Sequence, residues 1–84
     1  MNETTDPMEA RDVTRTCVAC PTIFEWRSGG TPYYFRLRHG YWMACNDVTD
    51  EVIASGTSVG LDGICSWDEA KDLMREGGLK VNDA

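Results

Sequence analysis

Between residues 22 and 46 apolar and polar positions alternate, and glycine interrupts the alternation twice. Residues 22–27, 33–38 and 41–46 are rich in aromatic and β-branched residues, which predicts three strands. Ser28-Gly29-Gly30-Thr31-Pro32 is a turn signal between the first two. His39-Gly40 fits a two-residue hairpin turn between the second and third, since Gly accepts φ > 0 freely and His does so better than most residues.

The turn length sets a register that the side chains can check. A two-residue turn pairs Arg38 with Tyr41, Leu37 with Trp42, Arg36 with Met43 and Phe35 with Ala44. One face then gathers Tyr33, Phe35, Leu37, Trp42 and Ala44, the candidate core. The other gathers Tyr34, Arg36, Arg38, Tyr41, Met43 and Cys45 and is wetter. A four-residue loop at 28–31 sets Trp26 against Tyr33 and Phe24 against Phe35, adding both aromatics to the core face.

Residues 46–50 form a polar loop, and residues 51–55 are either a fourth strand or a short helix, which periodicity cannot separate at this length. Residues 56–63 are glycine-rich and loop-like. Ser66 and Glu69 make a capping box, which predicts a helix running to Glu76 and ended by Gly77-Gly78. Trp67, Ala70, Leu73 and Met74 are its apolar stripe. Residues 79–81 are a short final strand or a tail. The expected organisation is a flexible tail at 1–16 and one α+β domain at 17–84. Its architecture is an antiparallel three- to four-stranded β-meander packed against one C-terminal α-helix.

Charge divides the chain unevenly. The net charge is −6 over 84 residues. Residues 17–46 carry Glu25 against Arg27, Arg36 and Arg38, whereas residues 47–84 carry nine acids against Lys71, Arg75 and Lys80. An acidic surface disfavours phosphate backbones and favours basic proteins, although solubility alone also accounts for it. No apolar run approaches the ~20 residues of a membrane span. The N-terminus lacks the basic and apolar regions of a signal peptide. The expected location is cytoplasmic, with no membrane partner and no direct contact with nucleic acid.

Few residues suggest chemistry. Cys17 and Cys20 have the spacing of a zinc half-site, but Cys45 and Cys65 stand 20 positions apart rather than in a second knuckle. A four-cysteine zinc module on Cys17, Cys20, Cys45 and Cys65 is therefore an alternative to reduced thiols and small buried hydrophobes. Residues 62–69 imitate part of a calcium loop yet hold too few carboxylates, and the capping box explains Ser66 and Glu69 without a metal. His39, the single histidine, reads as a turn residue. No phosphate loop, nucleophile elbow or recognisable carboxylate pair is present in the sequence. The expectation is a non-enzymatic binding protein with no catalytic residues and no cofactor.

Asp68, Asp72 and Glu76 recur every fourth position on the helix, with Glu69 beside them. Like charges at this spacing cost about 0.2–0.5 kcal/mol per pair. Acids near a helix N-terminus explain Asp68 and Glu69 but not Glu76. The four acids are candidate partner-binding residues. Tyr34, Arg36, Arg38 and Tyr41 on the wetter sheet face are candidate anchors, because aromatics and arginine dominate interface hot spots.

The stretch from Cys20 to Leu73 resembles a group of short uncharacterised proteins carried by phages and prophages. The resemblance rests on Cys20-Pro21-Thr22, Glu25-Trp26, the glycine turn and Tyr34-Phe35-Arg36-Leu37-Arg38. It continues through Gly40 and Leu61-Asp62-Gly63-Ile64 to Ser66-Trp67-Asp68-Glu69. Residues 35–37, the following hairpin and the terminal helix are also similar to the YegP-like β-β-β-α proteins. The phage resemblance implies a role by analogy: an inhibitor of a host defence protein, of the anti-CRISPR type, that occludes a basic nucleic-acid-binding surface. A homodimer completing its sheet across an exposed edge is a further alternative.

Overall fold

The computed structural model describes residues 7–17, 21–58, 60–61 and 63–84. The elements are β1 (Met8–Cys17), β2 (Thr22–Ser28), β3 (Thr31–Arg38), β4 (Tyr41–Asn46), β5 (Val52–Thr57), α1 (Trp67–Glu76) and β6 (Val81–Asp83). The fold is α+β: a curled six-stranded mixed sheet in the order β5-β4-β3-β2-β1-β6, with one short helix.

The central meander keeps the expected register. Arg38 pairs with Tyr41, Leu37 with Trp42, Arg36 with Met43 and Phe35 with Ala44, while Trp26 faces Tyr33 and Phe24 faces Phe35. His39 and Gly40 have φ of 53° and 76°, as a primed two-residue turn requires. The first turn is tighter than the expected four-residue loop. Ser28 pairs with Thr31, and Gly29-Gly30 alone make the bend, so the register is unchanged. The segment that periodicity leaves open between strand and helix is strand β5, which includes Gly56.

Two strands lie outside the expected meander. Residues 1–16 are not a tail throughout, because β1 runs over Met8–Cys17, antiparallel to β2; residues 1–6 lie outside the described residues. Strand β6 pairs with β1 in parallel, which makes the sheet mixed rather than antiparallel. The β1 pattern is masked by a register shift between Arg11 and Thr14, where Asp12 has φ of 54°. Ala10 is buried, and Met8 and Val13 pack against the core. Their spacing changes from two to three across the shift.

Aromatic side chains fill the concave side. Phe35 stacks on Trp42 at 5.8 Å and Trp26 on Tyr33 at 5.9 Å, while Trp67 of α1 meets both Phe24 and Trp26 at 5.4 Å. The helix packs against β5 and β6, the two edge strands, and so lies across the open side of the curl. Its capping box is present as expected: Glu69 N–H donates to Ser66 Oγ at 3.1 Å, and Ser66 N–H donates to Glu69 Oε1 at 2.8 Å. Ala70, Leu73 and Met74 are its buried residues. Among the described residues, no helix is long and apolar enough to cross a membrane.

Candidate binding surfaces

The acidic residues of α1 divide between two sides of the helix. Asp68 belongs to the side next to β6. Its carboxylate is 3.3 Å from Lys71 Nζ, which also binds Asp83 of β6 at 2.8 Å. Trp67 Nε1 donates to the same Asp83 at 2.7 Å. These bonds hold the Asp83 carboxyl below its ordinary range, the bond from Lys71 contributing most. They raise Lys71 in return, again chiefly through Asp83. Asp68 is thus part of a clamp on the last strand, and the row Asp68–Asp72–Glu76 does not form one uniform surface.

Glu69, Asp72 and Glu76 instead line a groove of about 480 Å³ between α1 and the end of β5. Their i, i+3, i+7 spacing puts them on one helix face. Leu61 and Leu73 supply its apolar lining, and Thr57 and Ser58 its hydroxyl-bearing residues. Ser58 Oγ donates to the Leu61 carbonyl at 2.6 Å, which ties this loop down. Asp72 is 3.0 Å from Arg75, an exposed pair of the kind that contributes only ~0–1 kcal/mol. Glu76 makes no ion pair among the described residues. Thr57, Leu73 and Glu76 also line a second hollow of about 210 Å³ with Trp42, Ser55, Gly56 and Gly77. The two hollows therefore adjoin along the helix.

The outer face of the sheet brings the other candidates together. Arg38 lies directly opposite Tyr41, Arg36 opposite Met43 and Tyr34 opposite Cys45. Tyr41 is 69 % exposed. Tyr34 is half-buried and its hydroxyl reaches Asp50 at 3.5 Å. Its phenol is pushed up to about 12, first by a hydrogen bond with Cys45, then by burial and nearby negative charge, with Arg36 opposing. Arg36 and Arg38 make no ion pair among the described residues. The two candidate sets thus occupy different parts of the molecule, the sheet's outer face and the α1 groove.

The alternative of a four-cysteine metal set can be followed at Cys17, Cys45 and Cys65, which do not come together. Cys65 sits in the concave core, where burial above all, with help from the Glu69 charge, pushes its thiol up to about 11. Cys45 is buried on the opposite face against Tyr34. The sheet separates these two thiols, and Cys20 lies outside the described residues. Among the described residues no three His, Cys, Asp or Glu side chains come together to hold a metal.

Sequence reasoning places Glu69 beside the acidic row but misses that it lines the groove. The signal is its spacing of three and seven from Asp72 and Glu76, flanking Leu73. Nothing in the sequence marks Trp42, Gly56 and Gly77 as a continuation of that groove. No family model, curated protein or solved structure matches the chain.

Proposed function

We propose that the protein is a small acidic, non-enzymatic binding protein that engages the basic surface of another protein. In the phage setting suggested by the resemblance of residues 20–73, that partner is a host defence protein. The inhibitor, of the anti-CRISPR type, occupies the partner's nucleic-acid-binding surface in the host cytoplasm. The observation that carries this reading is the placement of Glu69, Asp72 and Glu76 along one groove, with Glu76 unopposed by any cation among the described residues. Such a field speeds encounter with a basic surface and repels phosphate backbones. The outer-face residues Tyr34, Arg36, Arg38 and Tyr41 supply a second contact area.

Co-purification from a bacterial lysate tests the reading, comparing the native chain with a variant carrying Glu69→Gln, Asp72→Lys and Glu76→Lys, which leaves the Asp68–Lys71 pair in place. The native chain is expected to retain a basic protein that salt releases, and the variant to lose it. Equal recovery of the same protein by both chains overturns the role of the acids.

A further inference from the structure

Thr57, at the end of β5, stands between two surfaces of opposite character. On the outer side it lies directly opposite Tyr41, which in turn lies opposite Arg38. Tyr41 is 69 % exposed, and Arg38 is exposed and makes no ion pair among the described residues. A hollow of about 400 Å³ opens beside them, lined by Tyr41, Trp42, Met43, Ser55, Gly56 and Thr57. On the helix side the same Thr57 lines the groove that holds Asp72 and Glu76. Glu76 also lacks an ion pair among the described residues.

Between these flanks, β5 carries no charge from Val52 to Thr57, and none of its residues is fully buried. It is an edge strand, but the end of α1 reaches part of it: a Cβ on Gly77 would lie 3.4 Å from the Ser55 carbonyl. That leaves side chains, rather than an added strand, to make contacts across it.

The patch is self-complementary. Rotation by half a turn about an axis along β5 exchanges its cationic, aromatic flank with its anionic flank. Two copies facing each other across that axis set opposite charges together twice, at symmetric positions. Tyrosine and arginine beside an uncharged centre are also the residue types enriched in protein interfaces. A partner matching both flanks at once must carry them in reverse order, and a second copy does so.

We propose that the protein pairs with a second copy through a two-fold interface centred on β5. Arg38 and Tyr41 of each copy lie against Asp72 and Glu76 of the other. The pairing does not rest on the acidic-binder reading. It covers two of the same acids, so a basic partner and a second copy compete for them.

Sedimentation velocity of the full chain tests this from about 10 μM to about 1 mM, the range in which small interfaces associate. A monomer–dimer equilibrium that added salt weakens is expected. Arg38→Glu alone and Glu76→Arg alone are each expected to weaken dimerisation at least roughly tenfold, because like charges then meet twice. An equimolar mixture of these two variants is expected to regain native affinity. In the mixed dimer Glu at position 38 meets Arg at position 76, and the second contact is the native one. Damage to the fold of either variant would not be repaired by mixing. Arg11→Glu, an exposed position on β1 away from β5, is the control and leaves affinity within about twofold. A chain that stays monomeric at the highest concentration overturns the proposal. So does a mixture that dimerises no better than its components, or a control that loses as much affinity as the two variants. Species that grow beyond the dimer with concentration overturn the two-fold arrangement. None of these outcomes bears on the acidic-binder reading, which co-purification decides separately.

Discussion

Trp67 and Asp83 are joined by a 2.7 Å hydrogen bond, Nε1 to Oδ1, that fastens the start of α1 to the last strand. The same carboxylate receives Lys71 at 2.8 Å through its other oxygen. Strand β6 has three residues and pairs with β1, and this side-chain clamp adds to the buried Val81 in holding it.

The clamp gives stability a defined pH dependence. The Asp83 carboxyl is lowered from 3.8, so its contribution is present above that value and is lost as pH falls through the folded pKa. Lys71 is raised from 10.5, so its contribution is present below that value and is lost as pH rises through the folded pKa. Asp83→Asn keeps an oxygen for Trp67 and removes the charge. Its thermal midpoint is expected to fall below that of the native chain at neutral pH, and the gap is expected to close at both acidic and strongly alkaline pH. Calorimetric midpoints across pH measure this; a gap that persists below the folded pKa of Asp83 contradicts it.

Gly56 is required by contact rather than by backbone conformation. Its Cβ would fall 2.8 Å from Trp42 Nε1 and 3.1 Å from Cε2 and Cζ2, and Gly77 blocks the ring from the other side. Gly56→Ala is therefore expected to destabilise the fold by about 1–3 kcal/mol, the usual range for overpacking a filled core. Denaturant titration checks it. Gly29→Ala meets no atom within 4 Å, so its cost is the strain of φ at 58° alone.

Tyr34 lies directly opposite Cys45 across the β3–β4 pair. The Tyr34 phenol is pushed up to about 12, the bond with Cys45 being the largest cause. Cys45→Ala is expected to move one tyrosine titration downward in near-ultraviolet absorbance. Cys45 and Cys65 are 1 % and 2 % exposed. Brief iodoacetamide treatment of the native chain is expected to leave both unmodified, whereas treatment in denaturant labels both.

The meander is legible in the sequence because turn, alternation and aromatic content agree locally. His39-Gly40 fixes one register, and Phe35, Leu37, Trp42 and Ala44 all fall inward from it. The turn at Gly29-Gly30 is two residues shorter than its composition suggests, with no effect on register, because either length sets Trp26 opposite Tyr33. Strand β1 is not legible. The irregularity around Asp12 breaks the period of two, and its surroundings, Arg11, Thr14 and Arg15, are polar. Strand β6 depends on parallel pairing with β1, from the far end of the chain, which no local pattern encodes. For the binding surfaces, the sheet-face residues follow from register alone. The groove does not, because Trp42, Gly56 and Gly77 meet only after β4, β5 and the end of α1 are packed together.

Occlusion of a basic nucleic-acid-binding surface is measured most directly by competition. The partner recovered by co-purification is loaded with fluorescent nucleic acid, and anisotropy is followed as the protein is added. The expected result is stoichiometric release of the nucleic acid, weakened by salt and abolished by Glu69→Gln, Asp72→Lys and Glu76→Lys together. Anisotropy that stays high while the protein sits in the same complex contradicts the proposed function.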